Sequence, residues 1–147
     1  MYILAIETTG PFGSVALVSE EENKCVVLGE MTSTDEMNHL KDLLPMVGRL
    51  LSAAGLAKSE LSHIAVSAGP GSFTGIRIGV STARALGQAL GIPCISVPTL
   101  DGFCRKENVC LGHEGAVTVG ILNARRGQVY GMVEGCMEAG PYMLTDV

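Results

Sequence analysis

Ser67-Ala68-Gly69-Pro70-Gly71-Ser72-Phe73-Thr74-Gly75-Ile76-Arg77-Ile78-Gly79 joins an apolar run, Ile64 to Ala68, to a helical pattern extending from about Phe73 to Leu90. The run has the length and composition of a buried strand, and Gly69 to Ser72 are turn residues. A second apolar run, Pro93 to Val97, follows at once. Strand, helix and strand with short joints predict a right-handed parallel crossover. Within the helix Gly75, Gly79, Ala83, Gly87 and then Gly91 recur every four residues and form a ridge of small side chains. Such a ridge suits close helix-on-helix packing, against helix one of this chain or a helix of a partner, with purely internal packing as the alternative. The glycine-rich turn ahead of a helix N-terminus has the form of an anion cradle, although no lysine stands where a P-loop needs one. A plain tight turn is the other reading. Arg77, Ser81, Arg84 and Gln88 read as a solvated polar face.

Upstream, Tyr2 to Ile6 and Gly13 to Val18 are apolar runs separated by Thr8-Thr9-Gly10-Pro11, which is turn chemistry. With Cys25 to Met31 they predict a three-strand meander. The period then changes. Ser33 and Glu36 have capping-box spacing, and Leu40, Leu43, Leu44, Val47, Leu50, Leu51 and Ala54 form one helical stripe closed by Gly55. Pro45 lies inside the stripe and predicts a kink or a late start. Beyond Pro98, Ala116 to Leu122 and Gln128 to Val133 repeat the opening hairpin about Asn123-Ala124-Arg125-Arg126-Gly127. The expected organisation is residues 1–98 as one domain and 99–147 as the incomplete start of a second, similar one.

With 147 residues, 47% hydrophobic and 17% charged, the chain has the composition of an ordinary globular domain and not of a disordered one. Nineteen glycines against six aromatics indicate an aliphatic core with close backbone approaches. A net charge of −5 creates no field for a polyanion, so any tRNA contact is expected to be indirect. The five cysteines are scattered and include no C-x-x-C pair, which suits reduced thiols in a cytoplasmic protein. The opening Met1-Tyr2-Ile3-Leu4-Ala5-Ile6-Glu7 has no basic leader, and no apolar stretch is long enough to span a bilayer. His39, His63 and His113 stand alone, without the spacing of a metal pair, so neither a metal nor a cofactor is expected.

Four segments together resemble the TsaB (YeaZ) family. They are Tyr2-Ile3-Leu4-Ala5-Ile6-Glu7-Thr8, His39 with Leu43-Leu44-Pro45-Met46-Val47, the Gly69-to-Gly79 run, and Leu122-Asn123-Ala124-Arg125-Arg126-Gly127-Gln128-Val129-Tyr130. The match runs in order over nearly the whole chain, and G-P-G-S-F-T-G-x-R-x-G is its most specific part. The resemblance implies an α/β protein of the actin-like, ribonuclease-H-like superfamily, a mixed sheet flanked by helices, with a truncated second domain of the same type. It also implies a non-catalytic partner of TsaD, the catalytic paralogue, in making N6-threonylcarbamoyladenosine at position 37 of tRNAs reading A-starting codons. A TsaE-type ATPase belongs to the same assembly. Where the catalytic paralogue has an H-x-x-x-H metal pair, this chain has Thr99 and Phe103, and Asn123 stands where some members have Asp. Both departures point away from catalysis.

The resemblance implies contact with TsaD through helices one and two. His39, Leu40, Leu43, Leu44 and Val47 on the first, and Phe73, Gly75, Ile76, Gly79 and Ala83 on the second, are then the interface residues. Self-association through the same helices is also expected. Glu7, Thr8 and Thr9 are the weaker candidates, as the phosphate loop of an actin-like ATPase or kinase, which is the main rival reading; a metallopeptidase is a poorer one. On the ridge reading, Gly79→Leu is expected to abolish the TsaD complex.

Overall fold

A computed structural model describes the backbone of residues 1–22, 24–34, 39–111, 117–134 and 141–144; the side chains of 39–40, 106–111 and 141–144 lie outside what is described. The described residues form two compact units, one of residues 1–68 and 72–96, the other of residues 69–71 and 97–147.

The first unit opens with the expected meander. Its strands are β1 (Tyr2–Glu7), β2 (Ser14–Glu21) and β3 (Lys24–Thr32), with a six-residue connection between the first two. β1 and β2 pair antiparallel from Tyr2 opposite Ser19 to Glu7 opposite Ser14, and β2 and β3 pair antiparallel with a bulge between Leu17 and Val18. Helix α1 (His39–Ala53) follows, then β4 (Leu61–Ser67), α2 (Phe73–Leu90) and β5 (Cys94–Val97). β4 pairs parallel with β1, so the sheet order is β3-β2-β1-β4-β5 and the sheet is mixed.

One face of this sheet carries the core. Leu4 and Ile6 of β1, Val15 and Leu17 of β2, and Leu61, Ile64 and Val66 of β4 are buried with Leu43, Met46, Val47, Leu50 and Leu51 of α1. Those five α1 residues recur with helical period, which is why this stretch folds as an amphipathic helix. Leu44, placed in the same stripe by sequence, is one residue off it and exposed. Pro45 lies within α1, past its first turn, and so denies the Lys41 carbonyl its intrahelical donor. Glu36 of the expected capping box lies outside the described residues. Ser33 is buried, and its hydroxyl donates to Asp42 Oδ2 at 2.7 Å.

α2 is bounded by side-chain chemistry at one end and backbone chemistry at the other. The Ser72 hydroxyl accepts from the Gly75 amide at 3.2 Å, and Gly91 closes the helix in the left-handed conformation at φ 67°.

In the second unit, α3 (Thr99–Leu111) precedes a three-stranded sheet in the order β6 (Thr118–Arg125), β7 (Gln128–Glu134), β8 (Pro141–Leu144). The turn between β6 and β7 is tighter than the five-residue segment expected. Arg125, Arg126 and Gly127 all have positive φ, and Asn123 Oδ1 accepts from the Arg125 amide at 2.7 Å. Positive φ at both central residues is the geometry that matches the twist of hairpin strands. Neither α3 nor β8 follows from the sequence patterns above. α3 buries only Thr99, Leu100 and Cys104 among its described side chains, too short a stripe to reveal a helical period. No helix of the described residues is long and apolar enough to cross a membrane.

Leu17 is fully buried beneath α1 in the middle of β2. Leu17→Ala is expected to cost about 3 kcal/mol of stability, read as a lowered urea midpoint at unchanged slope.

Candidate functional site

Of the residues selected from sequence, Glu7, Thr8, Thr9, Gly75 and Gly79 meet at the junction between the end of β1 and the first two turns of α2, while those on α1 do not. Thr8 is fully buried there, and its hydroxyl donates to the Gly75 carbonyl at 2.8 Å. The Ser72 amide donates to the Thr9 carbonyl at 2.7 Å, so the helix N-terminus is fastened to the β1–β2 turn twice. A Cβ at Gly75 would collide with the Thr8 backbone carbonyl, and one at Gly79 would collide with the Thr8 hydroxyl while touching Val66 at 3.5 Å. Further along, a Cβ at Gly87 would lie 2.5 Å from Cys94 Sγ.

The small-residue ridge therefore faces the chain's own sheet. Gly75, Gly79, Ala83 and Gly87 are all buried, and the groups against the three glycines belong to Thr8, Val66, Ile92 and Cys94. This corrects the expectation that Gly75, Gly79 and Ala83 admit a neighbouring helix; they admit strand ends. Leu43 and Val47 likewise belong to the internal core and not to a surface. Gly79→Leu consequently tests folding, not partner binding.

What remains outward on the two helices is a smaller set. Leu44 is 54% exposed and Phe73 74% exposed, while Ile76 is half-buried. The guanidinium of Arg77 stands 5.5 Å from the Phe73 ring centre, a cation over an aromatic face. Arg77 was read from sequence only as solvated surface, although its four-residue offset from Phe73 puts the two side chains together on a helix. Beside Leu44, Pro45 and Gly48 are also exposed, and the space around Gly48 is open to at least 4 Å. The position that admits close approach by another helix is thus on α1. His39 opens α1, and the expected roles of the His39 and Leu40 side chains lie outside the described residues.

Glu7, Thr8 and Thr9 do come together, but Glu7 and Thr9 are engaged with each other and the Thr8 hydroxyl with the Gly75 carbonyl. Glu7 Oε1 accepts from the Thr9 amide and, at 2.5 Å, from the Thr9 hydroxyl. A phosphate loop presents such donors to its ligand; here the Glu7 carboxylate occupies them. Glu7 is a clamp on the turn, and Thr8 a peg beneath α2. In the second unit, Thr99 is buried and Phe103 exposed within the first turns of α3. Among the described residues, no three His, Cys, Asp or Glu side chains come together as a metal site.

Residues 27–146 match the family model described as "TsaD: tRNA N6-adenosine threonylcarbamoyltransferase". The chain belongs to that family of α/β proteins and, within it, to the TsaB (YeaZ) group. It is 37% identical over 130 residues to the tRNA threonylcarbamoyladenosine biosynthesis protein TsaB of Bacillus subtilis, covering 88% of this chain and 53% of that protein. The TsaB of Escherichia coli is 35% identical over 138 residues, with the same two coverages. The solved structure of YeaZ from Pseudomonas aeruginosa superposes with a TM-score of 0.80 at 30% identity, over 97% of this chain and 66% of that one. The chain spans about half the length of the curated relatives it matches.

Two glycines separate the internal from the external reading. Gly75→Ala is expected to cost about 3 kcal/mol or prevent folding, because the obstacle is a backbone carbonyl. Gly48→Ala is expected to raise stability by about 0.5–1 kcal/mol, and thermal unfolding followed by circular dichroism distinguishes the two.

Proposed function

We propose that this chain acts in tRNA threonylcarbamoyladenosine biosynthesis as a non-catalytic scaffold that binds a TsaD-type catalytic paralogue through the outward faces of α1 and α2. The observation that carries this reading is the pair of unburied apolar side chains, Leu44 and Phe73, on two helices that also touch each other. Neither takes part in the core, and an exposed phenylalanine held under an arginine has the composition of an interface anchor. Pro45 and the open space at Gly48 supply a shallow site for a partner helix. The names carried by its relatives support the pathway.

In this reading Ile76 flanks the anchors, while Leu43, Val47, Gly75, Gly79 and Ala83 act indirectly, by fixing the two helices on the sheet. The same face serves self-association when the partner is absent. A TsaE-type ATPase joins the TsaD complex, and tRNA is reached through the partner, in keeping with the charge of −5. The second unit is the beginning of a second domain of the same actin-like type, and the protein works in the cytoplasm.

Leu44→Glu and Phe73→Glu are each expected to weaken TsaD binding by about 2 kcal/mol, roughly thirtyfold, measured by calorimetry. Because both side chains are exposed, thermal stability is expected to stay within about 0.5 kcal/mol of the parent. Undiminished binding by the folded double variant refutes this interface. The pathway itself is tested by leaving the full-length protein out of a reconstitution with TsaD, TsaE, the adenylate-forming enzyme, ATP, threonine, bicarbonate and tRNA. Modified tRNA is expected only when the protein is present, and equal modification without it overturns the scaffold role.

A further inference from the structure

The outward faces of α1 and α2 carry charge of one sign. Lys41 and Arg49 of α1 and Arg77 and Arg84 of α2 are exposed, and among the described residues none of the four forms an ion pair. The only acid in either helix is Asp42, which is half-buried and accepts the Ser33 hydroxyl. The chain as a whole has the opposite balance, with fifteen Asp and Glu against ten Lys and Arg. Charge is therefore segregated, and the cations fall on the face that also exposes Leu44 and Phe73.

Helical geometry puts them there together. Arg77 follows Phe73 by four residues and Arg84 follows Arg77 by seven, so the three project from one stripe of α2, away from the buried Gly75, Gly79 and Ala83. On α1, Lys41, Leu44 and Gly48 are likewise three and four residues apart, away from the buried Leu43, Met46, Val47 and Leu50. Both helices lie on the core face of the sheet, Gly79 against Val66 and Leu50 against Gly29, so their outer stripes look the same way.

We infer that this face takes a protein surface carrying carboxylates around an apolar centre, and that its cations set the preference for such a partner over a second copy of this chain. The inference rests on the reading of α1 and α2 as the interface. Leu44 and Phe73 call for apolar cover, and the cations beside them call for acids. A second copy supplies the first and not the second. Two-fold pairing sets one patch against itself, so in any register cations meet cations. At physiological ionic strength charges act over about 8 Å, which is enough for like signs across a shared face to oppose association. The phosphates of a nucleic acid would answer the cations and leave Leu44 without apolar cover. Arg77 is tied to the Phe73 ring, so Arg49 and Arg84 are the clean probes of charge.

Partner binding and self-association then respond to salt with opposite signs. For the full-length protein, binding to the TsaD-type paralogue is expected to weaken about tenfold between about 50 mM and about 500 mM salt, measured by calorimetry. Self-association, followed by sedimentation, is expected to strengthen over the same range. Arg49→Glu with Arg84→Glu is expected to slow association with the paralogue about tenfold and to change dissociation less than about twofold. The same double variant is expected to self-associate more tightly, because its face holds two charges of each sign. If binding is weakened by Leu44→Glu and Phe73→Glu yet indifferent to salt and to the charge reversals, the interface stands and this inference is overturned. It is also overturned if self-association weakens as salt is added, or if the charge reversals abolish binding of unmodified tRNA and leave binding of the paralogue unchanged. Binding indifferent to Leu44→Glu and Phe73→Glu overturns the interface and this inference together.

Discussion

The seat of α2 on the end of β1 is the constraint on which the first unit depends. Thr8 leaves no room for a side chain at Gly75 or Gly79, and its hydroxyl holds the helix at the Gly75 carbonyl. That contact sets how near α2 lies to the sheet, and therefore which of its residues face inward. With Gly75, Gly79, Ala83 and Gly87 inward, Phe73 and Arg77 must face outward, because a helix turns about 100° per residue. The exposure of Phe73 follows from the contact at Thr8.

The acid at the end of β1 takes its meaning from the same junction. Glu7 is placed where an actin-like ATPase would use an acid and adjacent hydroxyls for a nucleotide, and the residue types alone allow that use. In the folded chain the carboxylate binds the Thr9 amide and hydroxyl, while the Thr9 carbonyl receives the Ser72 amide. A phosphate that took these donors would have to displace the Glu7 carboxylate from them. In the folded chain this turn anchors the N-terminus of α2, and the outward faces of α1 and α2 carry the exposed Leu44 and Phe73.

How much of this was legible in the sequence depends on what each pattern encodes. β1, β2, α1, β4 and α2 were readable because their apolar pattern reports burial, whereas β3 and β5 were readable from apolar runs that the fold leaves largely exposed. The α2 ridge was equally visible, and it correctly signalled a close approach. Periodicity carries no information about what approaches, however, and Thr8 lies 67 residues from Gly75 along the chain. Leu44 was assigned to the apolar stripe because leucine beside leucine does not reveal which one is on the inward side. Gly48 offered a signal that went unused: an exposed glycine one turn beyond Leu44, in a helix whose other face is dense with aliphatic residues. α3 was missed because its buried described positions are a threonine, a leucine and a cysteine, which present no stripe.

The glycines of the turn and the first turns of α2 are fixed by packing against the end of β1. A segment such as Gly69 to Gly79 admits few substitutions when its backbone is pressed against another backbone, whatever chemistry is performed nearby. A Cβ at Gly75 meets a carbonyl oxygen that cannot rotate away, whereas one at Gly79 meets a hydroxyl that can move only by giving up its bond to the helix. The run is thus under a tight packing constraint at both Gly75 and Gly79. Within the same run Phe73 and Arg77 point away from the sheet, and with Leu44 on α1 they are exposed and relieved of any duty to the core.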